Sequence, residues 1–554
     1  MQIRKVFYVR FSIASCHIEN LEKAGRLLAD LALVDAKVQT MIPSQPVVEA
    51  IAIKKDRIIK VGSNEKVGQF IGRRTRIVKL QGKTVFPGFI DAHVHVVDFG
   101  RFLMWLDLRG VESIAELQHR LSERVKKTRA GQWILGRGWN QTCFKEKRLP
   151  YLSEVDAASP SNPVILYHEC DMICAVNSRG LELAGITAST VAPATGAIDK
   201  DPETGKPLGI LRDTATDLAW KAVPEPSQDE LLKATRLALN KMAETGLTSI
   251  HWLLSSDNEI STVKELKSSR NLPIRVYVII PGNLLDEAAI VNIIGNPWLR
   301  IAGVMLSVDE YLASKTAALL RPYQNKPGYT GKLLSSQDEL INATYRILEA
   351  GLQPVMHAVG DRAIDVALTV IERNTKSHSN TVRFRIEHGA VLNESLIDRM
   401  KKQQVIVSVQ PRVMLSEFSV WSAIDSLGAQ RARWLYPLKT LLGKGIRVIG
   451  GSDCPMEPLN PLLGMQNAVL REYFPEERLS IEQALRMYTV DAAYSTNEES
   501  SKGSIEAGKL ADLTVLSGDP LTTDPNKISN ISVEMTIVAG KIVFSKNTNH
   551  PDTD

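Results

Sequence analysis

Two histidines separated by one residue, His93 and His95 in the run IDAHVH, open the chemical reading of this chain. On a β-strand, residues two apart project to the same face, so both imidazoles converge where the strand ends. Three more residues stand at equivalent places: His357 closes QPVMH, His388 closes RIEH and Asp453 closes IGGSD. Each ends an apolar run and enters a loop. A single histidine at such a place is more often packed or hydrogen-bonded than functional. Four of the ten histidines, together with an aspartate, at the ends of strands one, five, six and eight point instead to a hydrolytic metal site. Neutral imidazoles hold a borderline divalent ion and leave a position open for water. Such an ion draws the water's pKa towards neutrality, so that hydroxide is available near physiological pH. Asp453 is then the expected proton shuttle, accepting a proton as hydroxide attacks an acyl carbon and delivering it to the leaving nitrogen. If only some of the four histidines bind metal, His388 or His357 polarises the carbonyl oxygen instead. The spacing leaves that division open.

These residues need a scaffold that brings distant strand ends together. GFIDAHVH, GLTSIHWL, PIRVYVII, LRIAGVMLSV, QPVMHAV, VRFRIEHG, QVIVSVQ and IRVIGGSD are nearly continuous apolar runs, as strands buried on both faces are. Amphipathic segments such as DELINATYRILEAG and NESLIDRMKKQ separate most of them. The pattern predicts an α/β fold, a distorted (β/α)8 TIM barrel over residues 87–99 and 231–499. Short alternating strands at both chain ends, 29–86 and 500–546, share an ADL strand and a GK-x-VF strand and predict one composite β-sandwich. The gap after barrel strand one is too long for one helix, so 100–230 reads as an insertion subdomain covering the active site. Residues 1–28 read as an N-terminal extension. Arg4 and Lys5 precede an apolar stretch and Ile13-Ala14-Ser15-Cys16 is similar to a lipoprotein cleavage site, but Arg10 interrupts the stretch. The tail NTNHPDTD reads as frayed.

Composition narrows the class. The chain has 554 residues, 44% hydrophobic and 23% charged, with five cysteines and a net charge of +5. It is too apolar for disorder and too poor in cysteine for a disulfide scaffold. No CxxC occurs, and the odd cysteine count suits a reducing cytoplasm. No apolar run approaches the ~18 residues of a spanning helix. So weak a field argues for neither nucleic acid nor a membrane surface. The expected partner is a small-molecule substrate, and a homodimer is the default assembly.

Together, GFIDAHVH, GRGWNQ, MHAVGDRAID, RIEHG, GGSDCPMEPLNPL and GSIEAGKLADLTVLSGDP make a specific set. With these motifs the chain resembles the amidohydrolase superfamily over about residues 29–545, specifically the amidohydrolase family 3 branch that includes N-substituted formamide deformylases. The resemblance implies a metal-dependent hydrolase of non-peptide C–N bonds in amides, formamides, imides or ureas. It implies His93, His95, His357, His388 and Asp453 as metal ligands, with His388 and Asp453 also catalytic. Arg362 and Asn177 fall on motif positions of the family and are candidate substrate contacts.

Three departures stand out. Met305 in GVMLSVDEYLASKTA takes the place of a lysine that can be carboxylated to bridge two metals. A thioether cannot carry that bridge, so one ion is expected, Zn²⁺ first, with iron or manganese behind it. In the same stretch Glu310-Tyr311 replaces Gly-Ser, while Asp309 keeps its place as a candidate substrate contact. In the insertion, Met172 replaces a histidine, with His168 near enough to substitute, and Asn140 replaces an acid. Trp139 is read as a wall of the substrate pocket, with core packing as its bland alternative. These departures leave a second functional reading, a non-enzymatic ligand-binding or regulatory descendant of the same fold.

Overall fold

The computed structural model describes residues 27–170, 172–268, 272–286, 296–375 and 382–546. Most of the N-terminal extension and the whole of the NTNHPDTD tail lie outside the described residues. Two compact units result: Met1–Val96 with Ala238–Asp554, and Val97–Leu237.

The first unit holds eight parallel strands: β1 (Phe89–Val94), β2 (Leu247–Leu253), β3 (Arg275–Pro281), β4 (Leu299–Ser307), β5 (Gln353–Ala358), β6 (Arg385–His388), β7 (Ile406–Val409) and β8 (Arg447–Gly450). Each pairs with its neighbour in chain order, as expected of a (β/α)8 barrel. All residues of β1, β2, β5, β6 and β7 are buried, which is why most of these strands read as nearly continuous apolar runs. The ring nearly closes where β1 meets the chain after β8. There Val94 bridges Cys454 in parallel, and the Asp453 N–H donates to the His93 carbonyl at 2.8 Å. Helices on the outside begin where the sequence can cap them. Ser336 accepts from the Glu339 N–H at the start of Gln337–Glu349, and Glu339 reaches back to the Ser336 N–H.

The same unit contains strands from both ends of the chain. Leu513–Leu516 pairs antiparallel with Thr84–Pro87 in a six-stranded sheet whose other strands are Lys541–Ser545, Val533–Val538, Lys37–Gln39 and Val47–Val48. A four-stranded sheet holds Arg57–Gly62, Ala50–Lys54, Leu31–Val34 and Arg76–Lys79. Leu33, Ile51, Val85, Leu513, Val515 and Ile537 share one core and are fully buried. Each such side chain contributes roughly 1.5–3 kcal/mol relative to exposure. Strand Thr84–Pro87 leads through Gly88 directly into β1. A Cβ at Gly88 would lie 2.1 Å from the Thr248 hydroxyl oxygen on β2, so only glycine allows that approach.

The second unit is built on a six-stranded mixed sheet in the order Gly196–Lys200, Pro207–Asp213, Ile173–Val176, Val164–His168, Ile134–Trp139, Leu106–Asp107. Along Val164–His168, Val164 and Leu166 enter one apolar cluster and Ile165 another, so both faces of the sheet are covered. No described helix in either unit is long and apolar enough to cross a membrane.

Candidate metal centre and active site

His93 comes from β1, and its position is fixed from below. The buried Asp91 carboxylate accepts from the N–H groups of both His93 and Ser452, each at 3.0 Å, and so ties β1 to the segment after β8. Gly451 permits the contact, because a Cβ there would stand 2.6 Å from both the Cβ and the backbone nitrogen of His93. Beyond β8 the chain turns through Asp453 at φ 59°, and His388 at the end of β6 has φ 64°. Left-handed backbone at residues other than glycine carries a local cost of ~1–2 kcal/mol. At His388 it breaks the strand alternation, so that Glu387 and His388, consecutive in sequence, both reach the same centre.

Ligand atoms of His93, His388 and Asp453 all lie within 4.8 Å of one another, and all three residues are buried. Asp453 Oδ1 is 3.4 Å from His93 Nε2 and 3.4 Å from His95 Nε2, which brings the second β1 histidine into the group. His357, at the end of β5, joins through His388, with ring centroids 4.7 Å apart. The five strand-end residues therefore meet in one cluster.

The outer nitrogens of three of these rings face acceptors. His93 Nδ1 is 2.8 Å from Glu387 Oε2, with the Gln410 amide 3.1 Å away. His95 Nδ1 is 3.1 Å from the Leu253 carbonyl and 3.0 Å from the Ser255 hydroxyl. His357 Nδ1 is 3.0 Å from the Asp309 carbonyl. The carboxylate and carbonyl oxygens at these positions favour a proton on Nδ1, which leaves Nε2 to face inward as a metal ligand's must. His357 Nε2 is buried and has no hydrogen-bond partner. An orphaned imidazole nitrogen in a cluster of donors fits a bound cation.

Charge points the same way. Burial opposes a charge on His93, but the Asp453 and Glu387 carboxylates outweigh it and hold its pKa up to about 10. Burial also works against ionised Asp453, yet His93 and His95 keep it well below the usual carboxylate range. His388 is pushed down to about 3 by burial and by the neighbouring His357 and His93, so its imidazole is neutral, as a donor to a metal must be. Two buried carboxylates, Asp453 and Glu387, favour positive charge beside His93, and a divalent ion is one way to supply it.

Glu387 was not singled out from the sequence, and it proves central. It is fully buried, paired with Arg385, and held down to about 2 against its burial by Arg385 and His93. Arg385 in turn lies 2.8 Å from His251 Nδ1 and donates to the Ala92 carbonyl. The available signal was an acid and a base two residues apart in a strand otherwise read as apolar. Met305 does what its chemistry allows, packing against Leu253, Tyr277, Ile279 and Val355.

Several expected substrate contacts are committed elsewhere. Trp139 is fully buried in the core of the insertion, and its indole N–H donates to the Leu166 carbonyl at 2.8 Å. Packing, not a pocket wall, is its role. Asn177, also fully buried, accepts from the N–H groups of Val164 and Gly180 and donates to the Ser159 and Asn162 carbonyls. It caps the helix Ser178–Leu183 and has no polar atom left for substrate. Asp309 accepts from Ala318 at 2.8 Å and from Val359 and Gly360 at 2.9 Å each, clamping the loop after β4 to the loop after β5. Arg362 donates to the Gly331 carbonyl at 3.2 Å and braces the same loop, with its Nε unpartnered. Cys174 is buried among apolar side chains, whereas Cys170 is exposed and lies 3.0 Å from His168 Nδ1. Met172 is half-exposed.

Comparison with known proteins places this arrangement. The profile of the Amidohydrolase family matches residues 76–544. Over 525 residues the chain is 32% identical to a Bacillus subtilis (strain 168) protein named as an amidohydrolase, YtcJ, covering 92% of this chain and 98% of the relative. It is 26% identical over 544 residues to the N-substituted formamide deformylase of Arthrobacter pascens, covering 94% and 99% respectively. The crystal structure of an uncharacterised metal-dependent hydrolase from Pyrococcus furiosus superposes with a TM-score of 0.73 at 29% identity, covering 89% of this chain and all of that one. A match across most of the chain, on a barrel whose strand ends gather four histidines and an aspartate, leaves one conclusion: the chain belongs to the amidohydrolase family, in its family 3 branch.

Proposed function

We propose that the protein hydrolyses a non-peptide C–N bond, of the amide or formamide type, in a small molecule, and that Asp453 carries the proton. The observation that carries this reading is the convergence of His93, His388 and Asp453 within 4.8 Å, with His93 held in the ligating tautomer by Glu387. The name of the Arthrobacter relative supports formamides as the first substrates to try. A divalent ion held by these side chains, Zn²⁺ by preference for a nitrogen-rich donor set, supplies Lewis acidity that activates water and polarises a carbonyl group.

The protein's own groups do the rest. Asp453, kept anionic between His93 and His95, accepts the proton released as water attacks the acyl carbon. It then delivers that proton to the departing nitrogen, which leaves as a neutral amine. His388, neutral and adjacent to His357, is placed to steady the carbonyl oxygen if it is free of metal. Asp91, Glu387 and the Leu253 carbonyl hold the donors in place before substrate arrives, so little reorganisation is required during the reaction.

The test is a panel of N-formyl amines, hydantoins and aryl esters, assayed with metal-loaded and chelator-stripped protein. Hydrolysis of a C–N substrate that is lost on stripping and restored by Zn²⁺ supports the reading. Turnover of aryl esters alone, or activity indifferent to metal, overturns it.

A further inference from the structure

We propose that Tyr311 selects the organic group next to the scissile bond, and that it selects a flat aromatic one. This rests on the reading of the cluster as a metal-bearing hydrolytic centre. The Tyr311 ring stands nearly perpendicular to two of the clustered imidazoles. Its centroid is 5.4 Å from His357 at 80° and 6.3 Å from His388 at 82°. A side chain so close to the donors borders the space that a reacting group must enter. Yet 54% of Tyr311 remains exposed, so it is more than packing for the histidines.

The backbone that carries the ring is held at several points. The Tyr311 carbonyl accepts from the N–H groups of Thr316 and Ala317 at 3.1 and 3.0 Å, and its own N–H donates to the Thr316 hydroxyl at 3.3 Å. Two residues earlier, the Asp309 carboxylate pins the loop to Ala318, Val359 and Gly360. The buried acid that does not touch substrate is thereby a positioning residue for the tyrosine that does. A fixed aromatic platform with few rotatable bonds favours an aryl partner, stacked offset or edge to face, at small entropic cost. On the Asp453 side, Met456 is 65% exposed, and its N–H donates to the Asp453 carbonyl at 2.8 Å. Its thioether adds a second soft surface suited to aromatic contact. Where the family pattern has Gly-Ser, Tyr311 beside His357 and His388 gives the site this preference.

The experiment compares phenylacetohydroxamate with acetohydroxamate, probes that share the metal-binding group and differ in the phenyl ring. Their dissociation constants are measured by calorimetry on the metal-loaded full chain, with metal content checked by elemental analysis. Wild-type protein is expected to favour the phenyl probe about tenfold, or ~1.4 kcal/mol. Tyr311→Ala should bring the two affinities together at unchanged metal content, while Tyr311→Phe should keep the preference. Equal affinities in wild type, or a preference that survives Tyr311→Ala, would overturn the proposal. Binding of neither probe would overturn the metal-centre reading and the proposal with it. Because the readout is a binding ratio, failure of every substrate in the hydrolysis panel would leave it standing and mark the activity reading alone as wrong.

Discussion

Asp453 combines two roles that one substitution can separate. Asp453→Asn keeps a carbonyl oxygen near His93 and His95 but removes the acceptor for the proton. It is expected to lower kcat by about 10²–10⁴, the usual range for a lost general acid–base, with KM changing far less. Steady-state kinetics on protein of measured metal content checks this. Glu387→Gln acts one step further out. It weakens the acceptor that fixes His93 Nδ1 and should reduce metal affinity about 10–100-fold, measured by competition with a chromogenic chelator. The histidines and Asp453 were legible in the sequence because each ends an apolar run, where a barrel places its chemistry. Glu387 was not, because it lies within such a run and its partner, His93, is 294 residues away. Trp139 and Asn177 misled for the opposite reason. They sit on motif positions, but a motif residue can be kept for packing or capping, and their buried hydrogen bonds show that role.

At the scale of elements, the barrel strands were readable because burial on both faces demands uninterrupted apolar sequence. What sequence could not show is how the first and last strands meet. That junction depends on Asp91 bonding two chain segments and on Gly451 lying against His93. Gly451→Ala is expected to force these apart at a cost of roughly 1–3 kcal/mol, as overpacking does. Thermal unfolding should register the loss, and chelator competition should show weakened metal binding in the protein that remains folded. The same substitution at Gly443, where an added Cβ meets nothing within 4 Å, would produce neither the steric clash nor the loss of metal.

Across the whole molecule, distant segments are joined by buried and half-buried charges that no periodicity reveals. Glu498 pairs with Lys502 at 2.8 Å and with Arg300 of β4 at 3.3 Å, while Lys502 donates to Ser249 of β2 at 2.9 Å. Burial disfavours ionised Glu498, but Lys502 and Arg300 hold its pKa down to about 2, well below the usual carboxylate range. A depressed folded-state pKa stabilises the fold above the unfolded value, and that stabilisation disappears as pH falls through the folded one. Stability contributed by Glu498 should therefore be complete above pH about 4.5 and decline towards pH about 2. Glu498→Gln is expected to lower stability at neutral pH and to flatten the acid limb of a pH series of urea unfolding curves. The two GK-x-VF strands, Thr84–Pro87 and Lys541–Ser545, share the six-stranded sheet, whereas the two ADL strands part, Leu31–Val34 lying in the four-stranded sheet and Leu513–Leu516 in the six-stranded one.

The central claim, a catalytic metal at the barrel mouth, is tested most directly by anomalous diffraction at the zinc edge from crystals of the Zn²⁺-loaded protein. The expected result is a single strong peak within bonding distance of His93, His388 and Asp453. No peak there, or a metal bound only elsewhere on the chain, would contradict the account.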